Sequence, residues 1–222
     1  MKVALFDFDG TLYPHETFEI LIEKIKKHPD YKKVYNKFIR SFGPIYIGYK
    51  LKLVSKLNMQ NKALEKYIHS FKGRNKEDIE SFFREIADKM ADDMRPTLVE
   101  QLRKLKEDNY YIVLVSGAFM PLLEAIFKTD TVDYIFGSVI HYDEGKLDHK
   151  KKFNRLHSGM KVKLLKEHFN NTGVSVDWEN SLAFSDSYSD IQMLELVGNP
   201  VAVQPDEKLL KIATEKNWKI YE

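Results

Sequence analysis

Val3-Ala4-Leu5-Phe6-Asp7-Phe8-Asp9-Gly10-Thr11-Leu12-Tyr13-Pro14-His15 stands almost at the start of the chain and decides how the rest is read. The apolar run predicts a buried strand over Val3–Phe8. Two aspartates one residue apart interrupt its end, and Gly10-Thr11 follows at once. Side chains alternate faces along a strand, so Asp7 and Asp9 point the same way if the extended geometry reaches that far. Like charges at the carboxyl end of a buried strand repel. Such a pair needs a cation or a shared proton to persist.

Outward from that segment, two textures alternate. Tyr111–Val115, Tyr134–Phe136, Leu182–Ser185 and Pro200–Val203 are further short apolar strands, separated by stretches of helical periodicity. This spacing predicts parallel βα units in an α/β fold: a doubly wound, mainly parallel, Rossmann-like sheet. Residues 14–95 contain no convincing strand. Their apolar residues recur at helical intervals, as in Phe18, Leu21, Ile22, Ile25 and again in Ile79, Phe82, Phe83, Ile86. The expected organisation is a core of residues 1–13 and 96–222 and an inserted α-helical cap of residues 14–95, bounded by Pro14 and Pro96. His141-Tyr142-Asp143-Glu144-Gly145-Lys146-Leu147 reads as a hairpin tip, with Gly145 at a positive φ.

Composition bounds the function. A chain of 222 residues with 43% hydrophobic content supports one large domain or a domain with an insert. It has no cysteine, which excludes disulfides and thiolate metal sites and suits a reducing cytoplasm. The N-terminus lacks the order of a signal peptide, and no run of about 18 apolar residues predicts a membrane span. Net charge is only +2 but uneven: residues 14–95 carry 18 Lys+Arg against 12 Asp+Glu, mostly from residues 14–70, with 12 against 5. A basic insert attracts anionic substrates or an anionic membrane surface; a solvated helical face explains it equally well. No zinc, helix-turn-helix or aromatic-platform motif points to nucleic acid, and the sequence sets no oligomeric state.

Three segments recur downstream in fixed order. Val113-Leu114-Val115-Ser116-Gly117-Ala118-Phe119 ends a strand in a hydroxyl and a small-residue turn, a pattern suited to phosphate. Gly159-Met160-Lys161-Val162-Lys163 puts two lysines near a helix start, where the macrodipole disfavours a cation unless an anion offsets it. Ala183-Phe184-Ser185-Asp186-Ser187-Tyr188-Ser189-Asp190 ends another strand in an acid, with a second acid four residues on.

Together these segments resemble the four motifs of the haloacid dehalogenase (HAD) superfamily. The order of hairpin, lysine, S-D-S-x-S-D, Leu196-Val197-Gly198-Asn199-Pro200, Pro205-Asp206 and Trp218 is similar to subfamily IB, the phosphoserine-phosphatase-like group. The resemblance implies a phosphomonoester hydrolase acting on a small phosphorylated metabolite. Asp7 is the implied nucleophile, forming an aspartyl-phosphate, and Asp9 the general acid and base. Thr11, Ser116, Gly117 and Lys161 are the implied phosphate-binding residues, Lys161 being favoured over Lys163 because the lysine follows a Gly-containing stretch. Mg²⁺ is the implied cofactor, held by Asp7, the Asp9 carbonyl and Asp186, with Asp190 reaching it through water or orienting the site. Glu16 stands where relatives contact a substrate amine; it also reads as a first-turn acid at a helix N-terminus. The resemblance departs at Ser185 and Ser189, where those enzymes carry Gly and Asn, and Arg40 is the only arginine of the early cap. Two alternatives share the site: a lipid-headgroup phosphatase of phosphatidylglycerophosphate type, suggested by the aromatic and basic stretch Phe42–Val54, and a phosphotransferase or regulatory phosphoacceptor.

Overall fold

The computed structural model describes residues 1–127 and 131–222. Among them, six strands form one sheet in the order β3-β2-β1-β6-β7-β8, with every pairing parallel. These are β1 (Val3–Phe6), β2 (Tyr111–Phe119), β3 (Tyr134–Ser138), β6 (Leu182–Ser185), β7 (Asn199–Val203) and β8 (Lys219–Tyr221). Strand order reverses beside β1, so the carboxyl ends of β1, β2 and β6 open onto one crevice, where ligands bind in doubly wound sheets.

Strand alternation explains the layers. Ala4 and Phe6 of β1 face one side, with α5 (Pro96–Glu107) and α6 (Met120–Ile126); Val3 and Leu5 face the other. That second side is covered by α7 (Ser158–Asn171), α8 (Ile191–Leu194) and α9 (Glu207–Glu215), through Leu165, Phe169, Met193, Leu194 and Leu209. All four β1 residues are fully buried, as a central parallel strand requires. Phe6 also stacks on Phe184 of β6, with centroids 4.3 Å apart.

Between β1 and α5 lie α1 (Thr17–Lys27), α2 (Lys32–Lys50), α3 (Lys56–His69) and α4 (Lys76–Asp92), with a 3-10 turn at Pro29–Tyr31. Their apolar faces merge with one side of the sheet. Phe119 at the end of β2 lies 5.5 Å from Phe83 and 6.0 Å from Tyr67, ring centre to ring centre. Full burial of each such ring stabilises by about 2–3 kcal/mol, so aromatic packing helps hold these helices on the sheet. The hairpin β4 (Tyr142–Asp143) and β5 (Lys146–Leu147) turns at Gly145, φ +74°, and its tip accepts the Lys76 N–H.

Several strand ends differ from the sequence reading, and one strand is missing from it: β3 runs on to Ser138 and β7 starts at Asn199. β1 stops at Phe6 because the Phe8 carbonyl accepts the N–H groups of both Thr11 and Tyr13, turning the chain through Gly10 at φ +73°. β2 continues past Val115 to Phe119 through a register shift, so Ser116-Gly117-Ala118 is an irregular strand end and not a turn into a helix. The edge strand β8, only half-buried, shows no apolar run long enough to betray it.

Candidate active site

Asp7 follows the last residue of β1, and its N–H donates to the Phe184 carbonyl of β6 at 3.0 Å, which keeps its backbone in the sheet. Asp9 lies inside the turn closed by the Phe8 carbonyl, and both acids line one cavity of about 450 Å³ with Ser116, Gly117, Lys161, Asp186 and Asp190. The turn, not strand alternation, brings the two acids together.

Lys161 sits in the first turn of α7 and is buried. Its Nζ donates to Asp7 Oδ1 at 3.0 Å and to Asp190 Oδ2 at 2.7 Å. Lys163, two residues on and about 200° around the helix, is exposed and pairs with Glu167. Ser185 Oγ also donates to Asp190 Oδ2, at 2.9 Å, while Asp190 Oδ1 is buried and lacks a hydrogen-bond partner among the described residues. Burial would push the Lys161 ammonium down, but Asp190 and Asp7 outweigh it and hold its pKa above the ordinary lysine value. Burial, aided by the negative charges of Asp190 and Asp186, outweighs Lys161 and raises the Asp7 carboxyl.

Asp9 accepts the Thr17 N–H at 3.0 Å and the Thr17 hydroxyl, both at the start of α1. Burial, with Glu16 adding to it, still lifts Asp9 to about 6 against those hydrogen bonds. Asp186 rises to about 6 for the same leading reason, with Asp190 and Glu16 nearby. Gly10 is the residue that admits Asp186: a Cβ there would fall 2.2 Å from Asp186 Oδ2.

Ser116 is buried and its Oγ accepts the Ala118 N–H at 3.1 Å, with the hydroxyl hydrogen available to the cavity. Glu16, exposed, lines the mouth. Thr11 is not in the cavity wall. It is fully buried, and its hydroxyl donates to Asp186 Oδ1 at 3.3 Å, so the geometry makes it a support for Asp186 and not a phosphate contact.

No three imidazole or carboxylate side chains among the described residues form a ready metal cluster. The donor set nevertheless fits a hard cation. It is all oxygen, the negative charge of Asp190 adds to burial in raising both Asp7 and Asp186, and Asp190 Oδ1 is buried without a partner among the described residues.

Several residues of the site carry no motif. Lys56, Leu57 and Gln60 of α3 and Arg155 and His157 before α7 complete the cavity wall. Arg155 Nη1 donates to Gln60 Oε1 at 3.3 Å, and the guanidinium lies against Gly117, where a Cβ would meet Nε at 3.1 Å. Arg95 clamps the turn after Asp7, donating to the carbonyls of Thr11 and Gly10 and to Gln204. The only signal for Arg95 was its place before Pro96; for Arg155 there was none.

Comparison with known proteins gives the family. A curated phosphoserine phosphatase of Archaeoglobus fulgidus is 26% identical over 212 residues, covering 96% of this chain and 55% of that protein, so the chain spans about half the length of this relative. A Bordetella pertussis Tohama I protein of unknown function superposes with a TM-score of 0.79 at 17% identity, covering 100% of this chain and 98% of the other. A substrate-bound phosphoserine phosphatase gives a TM-score of 0.61 at 22% identity, covering 100% and 92%. The haloacid dehalogenase-like hydrolase family model matches residues 4–195. The chain belongs to that family.

Proposed function

We propose that this chain is a Mg²⁺-dependent phosphomonoesterase acting through an aspartyl-phosphate on Asp7, with a small phosphorylated molecule as substrate and the cytoplasm as its compartment. The observation that carries the reading is the convergence of Asp7, Asp9, Ser116, Lys161, Asp186 and Asp190 on one cavity from three neighbouring strand ends and a helix start. The phosphoserine phosphatases among its relatives support the substrate class.

In the proposed first step an Asp7 oxygen bonds to phosphorus and the bond to the leaving oxygen breaks. Asp9 gives that oxygen its proton; a carboxyl raised to about 6 retains a proton fraction near neutral pH. In the second step water attacks the phosphorus, Asp9 takes its proton, and the bond to Asp7 breaks to release phosphate. Lys161, already touching Asp7, offsets the charge on the phosphoryl oxygens, and Ser116 with the Gly117 N–H donates to them. Asp7, the Asp9 carbonyl and Asp186 would hold Mg²⁺, with Asp190 beside it; the ion supplies charge neutralisation and orientation when bound. Residues 14–95 serve as the cap, contributing Glu16, Lys56 and Gln60 to the cavity.

The test is phosphate release from a panel of phosphomonoesters, phosphoserine included, with and without Mg²⁺, using Asp7→Asn as the blank. Mg²⁺-dependent release that vanishes in the variant is the expected result. Full activity in Asp7→Asn removes the mechanism.

A further inference from the structure

From Tyr31 to Leu64 the chain carries eight Lys+Arg and no Asp or Glu. The stretch folds as the hairpin of α2 and α3, whose connection is tied by Leu51 N–H to the Ile47 carbonyl and Leu53 N–H to the Gly48 carbonyl. Large apolar side chains crowd the tip: Ile47 is 60% exposed, Leu51 64%, Leu53 80% and Leu57 51%. Lys50, Lys52 and Lys56 are interleaved with them, all exposed, and none has an ion-pair partner among the described residues. A patch of large aliphatic side chains this exposed on a short turn marks an interaction surface.

We propose that this hairpin tip docks on an anionic lipid surface. Three features on the tip select that occupant. Leucine and isoleucine more than half exposed suit insertion into the acyl–headgroup boundary, whereas a nucleic acid would call for a platform of stacking rings, and the exposed ring here, Tyr46, has Lys50 over it. The lysines flank the apolar residues, so they reach headgroup phosphates as the leucines enter. An acid-free segment also meets no repulsion from a negatively charged leaflet, while an apolar contact between two copies would bring two strongly positive hairpins together. The tip adjoins the cavity, since Lys56 and Leu57 belong to both. Docking therefore holds the mouth of the cavity beside the headgroup layer.

The test is co-sedimentation of the full chain with phosphatidylcholine vesicles with and without phosphatidylglycerol, at low and high salt. The protein binds the anionic vesicles, releases at high salt, and ignores pure phosphatidylcholine. Lys50→Glu/Lys52→Glu weakens binding by more than tenfold, at about fivefold for each lysine lost. Leu51→Ser/Leu53→Ser weakens it comparably. Both pairs lie outside the cavity wall and keep hydrolysis of a small soluble phosphomonoester unchanged. Because Asp7→Asn also binds vesicles, failure of the hydrolase reading and failure of this one are distinguishable. Absence of binding to anionic vesicles at low salt overturns the proposal. So does binding indifferent to both pairs, or a solution dimer that Leu51→Ser/Leu53→Ser converts to monomer without any vesicle binding.

Discussion

Thr17 donates twice to the same oxygen of Asp9, once from its backbone N–H at 3.0 Å and once from its hydroxyl. Both bonds favour the ionised carboxyl, and burial overrides them to hold it at about 6. Thr17→Val keeps the shape and the N–H but removes the hydroxyl donor. The Asp9 pKa then climbs. The kcat/KM profile reports the free enzyme, and the proposed first step needs Asp9 protonated, so activity falls as pH rises through that pKa. In Thr17→Val this alkaline limb moves upward by roughly one pH unit, the worth of one hydrogen bond to a charged group. A limb that stays put or moves down would show that Asp9 is not the proton donor.

Lys161 is the buried cation between two buried acids, so Lys161→Met leaves Asp7 and Asp190 facing each other without it. The expected cost is about 3–5 kcal/mol in urea unfolding near neutral pH. The double variant Lys161→Met/Asp190→Asn recovers part of it, because one of the stranded charges is gone. The sign of the pH dependence follows from Asp7, whose carboxyl burial already raises. A raised folded-state pKa contributes stability that is present below the unfolded value and lost as pH rises through the folded one. The single variant therefore loses ground as pH rises, and its deficit shrinks toward about pH 4, the ordinary carboxylate value. A deficit that is equal at all pH values would mean packing, not charge, holds this lysine.

The sheet and the motif residues were legible because each sits within a few residues of a diagnostic apolar run. Asp7 and Asp186 follow strands and Ser116 lies in the irregular end of β2, so each is close to an apolar run that marks a strand even where its exact end is not legible. The resemblance favours Lys161 over Lys163, and the helix turning between them buries the first and exposes the second. The cavity wall was a different matter. Gln60 meets Arg155 across 95 residues of chain, and nothing local to either segment encodes the meeting. Helical periodicity marked residues 14–95 as helical, most clearly in the stretches that form α1 and α4, but not which polar faces turn toward the site. Thr11, implied as a phosphate contact by the resemblance, illustrates the same limit: the turn at Gly10 carries its hydroxyl to Asp186.

Gly10 gives a sharper test of that turn. Its φ is +73°, and a Cβ would stand 2.2 Å from Asp186 Oδ2. Gly73 has φ +93° with nothing within 4 Å of a Cβ, so it isolates the backbone cost. Gly73→Ala should lose about 1–2 kcal/mol and keep full activity. Gly10→Ala should lose more and also need more Mg²⁺ for half-maximal activity, because Asp186 must move. Equal losses and an unchanged Mg²⁺ requirement in both variants would detach Asp186 from the proposed metal site.

Asp206 fastens the Asp186 loop to α9. Its Oδ1 accepts the N–H groups of Lys208 and Leu209, its Oδ2 accepts those of Tyr188 and the Ser187 hydroxyl, and its own N–H donates to the Asp186 carbonyl at 2.8 Å. Partial burial raises the carboxyl, but these hydrogen bonds outweigh it and hold the pKa below the ordinary value. A depressed folded-state pKa contributes stability that is present above the unfolded value and lost as pH falls through the folded one. Asp206→Ala therefore costs about 1–2 kcal/mol at neutral pH, the worth of an N-cap, and the gap to the parent closes as pH falls below about 4. Asp206→Asn keeps one acceptor oxygen and retains part of the stability. Urea melts across the acid range measure both trends, and Mg²⁺ titration of activity reads the loop. If Asp206→Ala melts like the parent at neutral pH, the side chain is not the clamp, and the loop is held by the backbone bond from Asp206 to Asp186 alone.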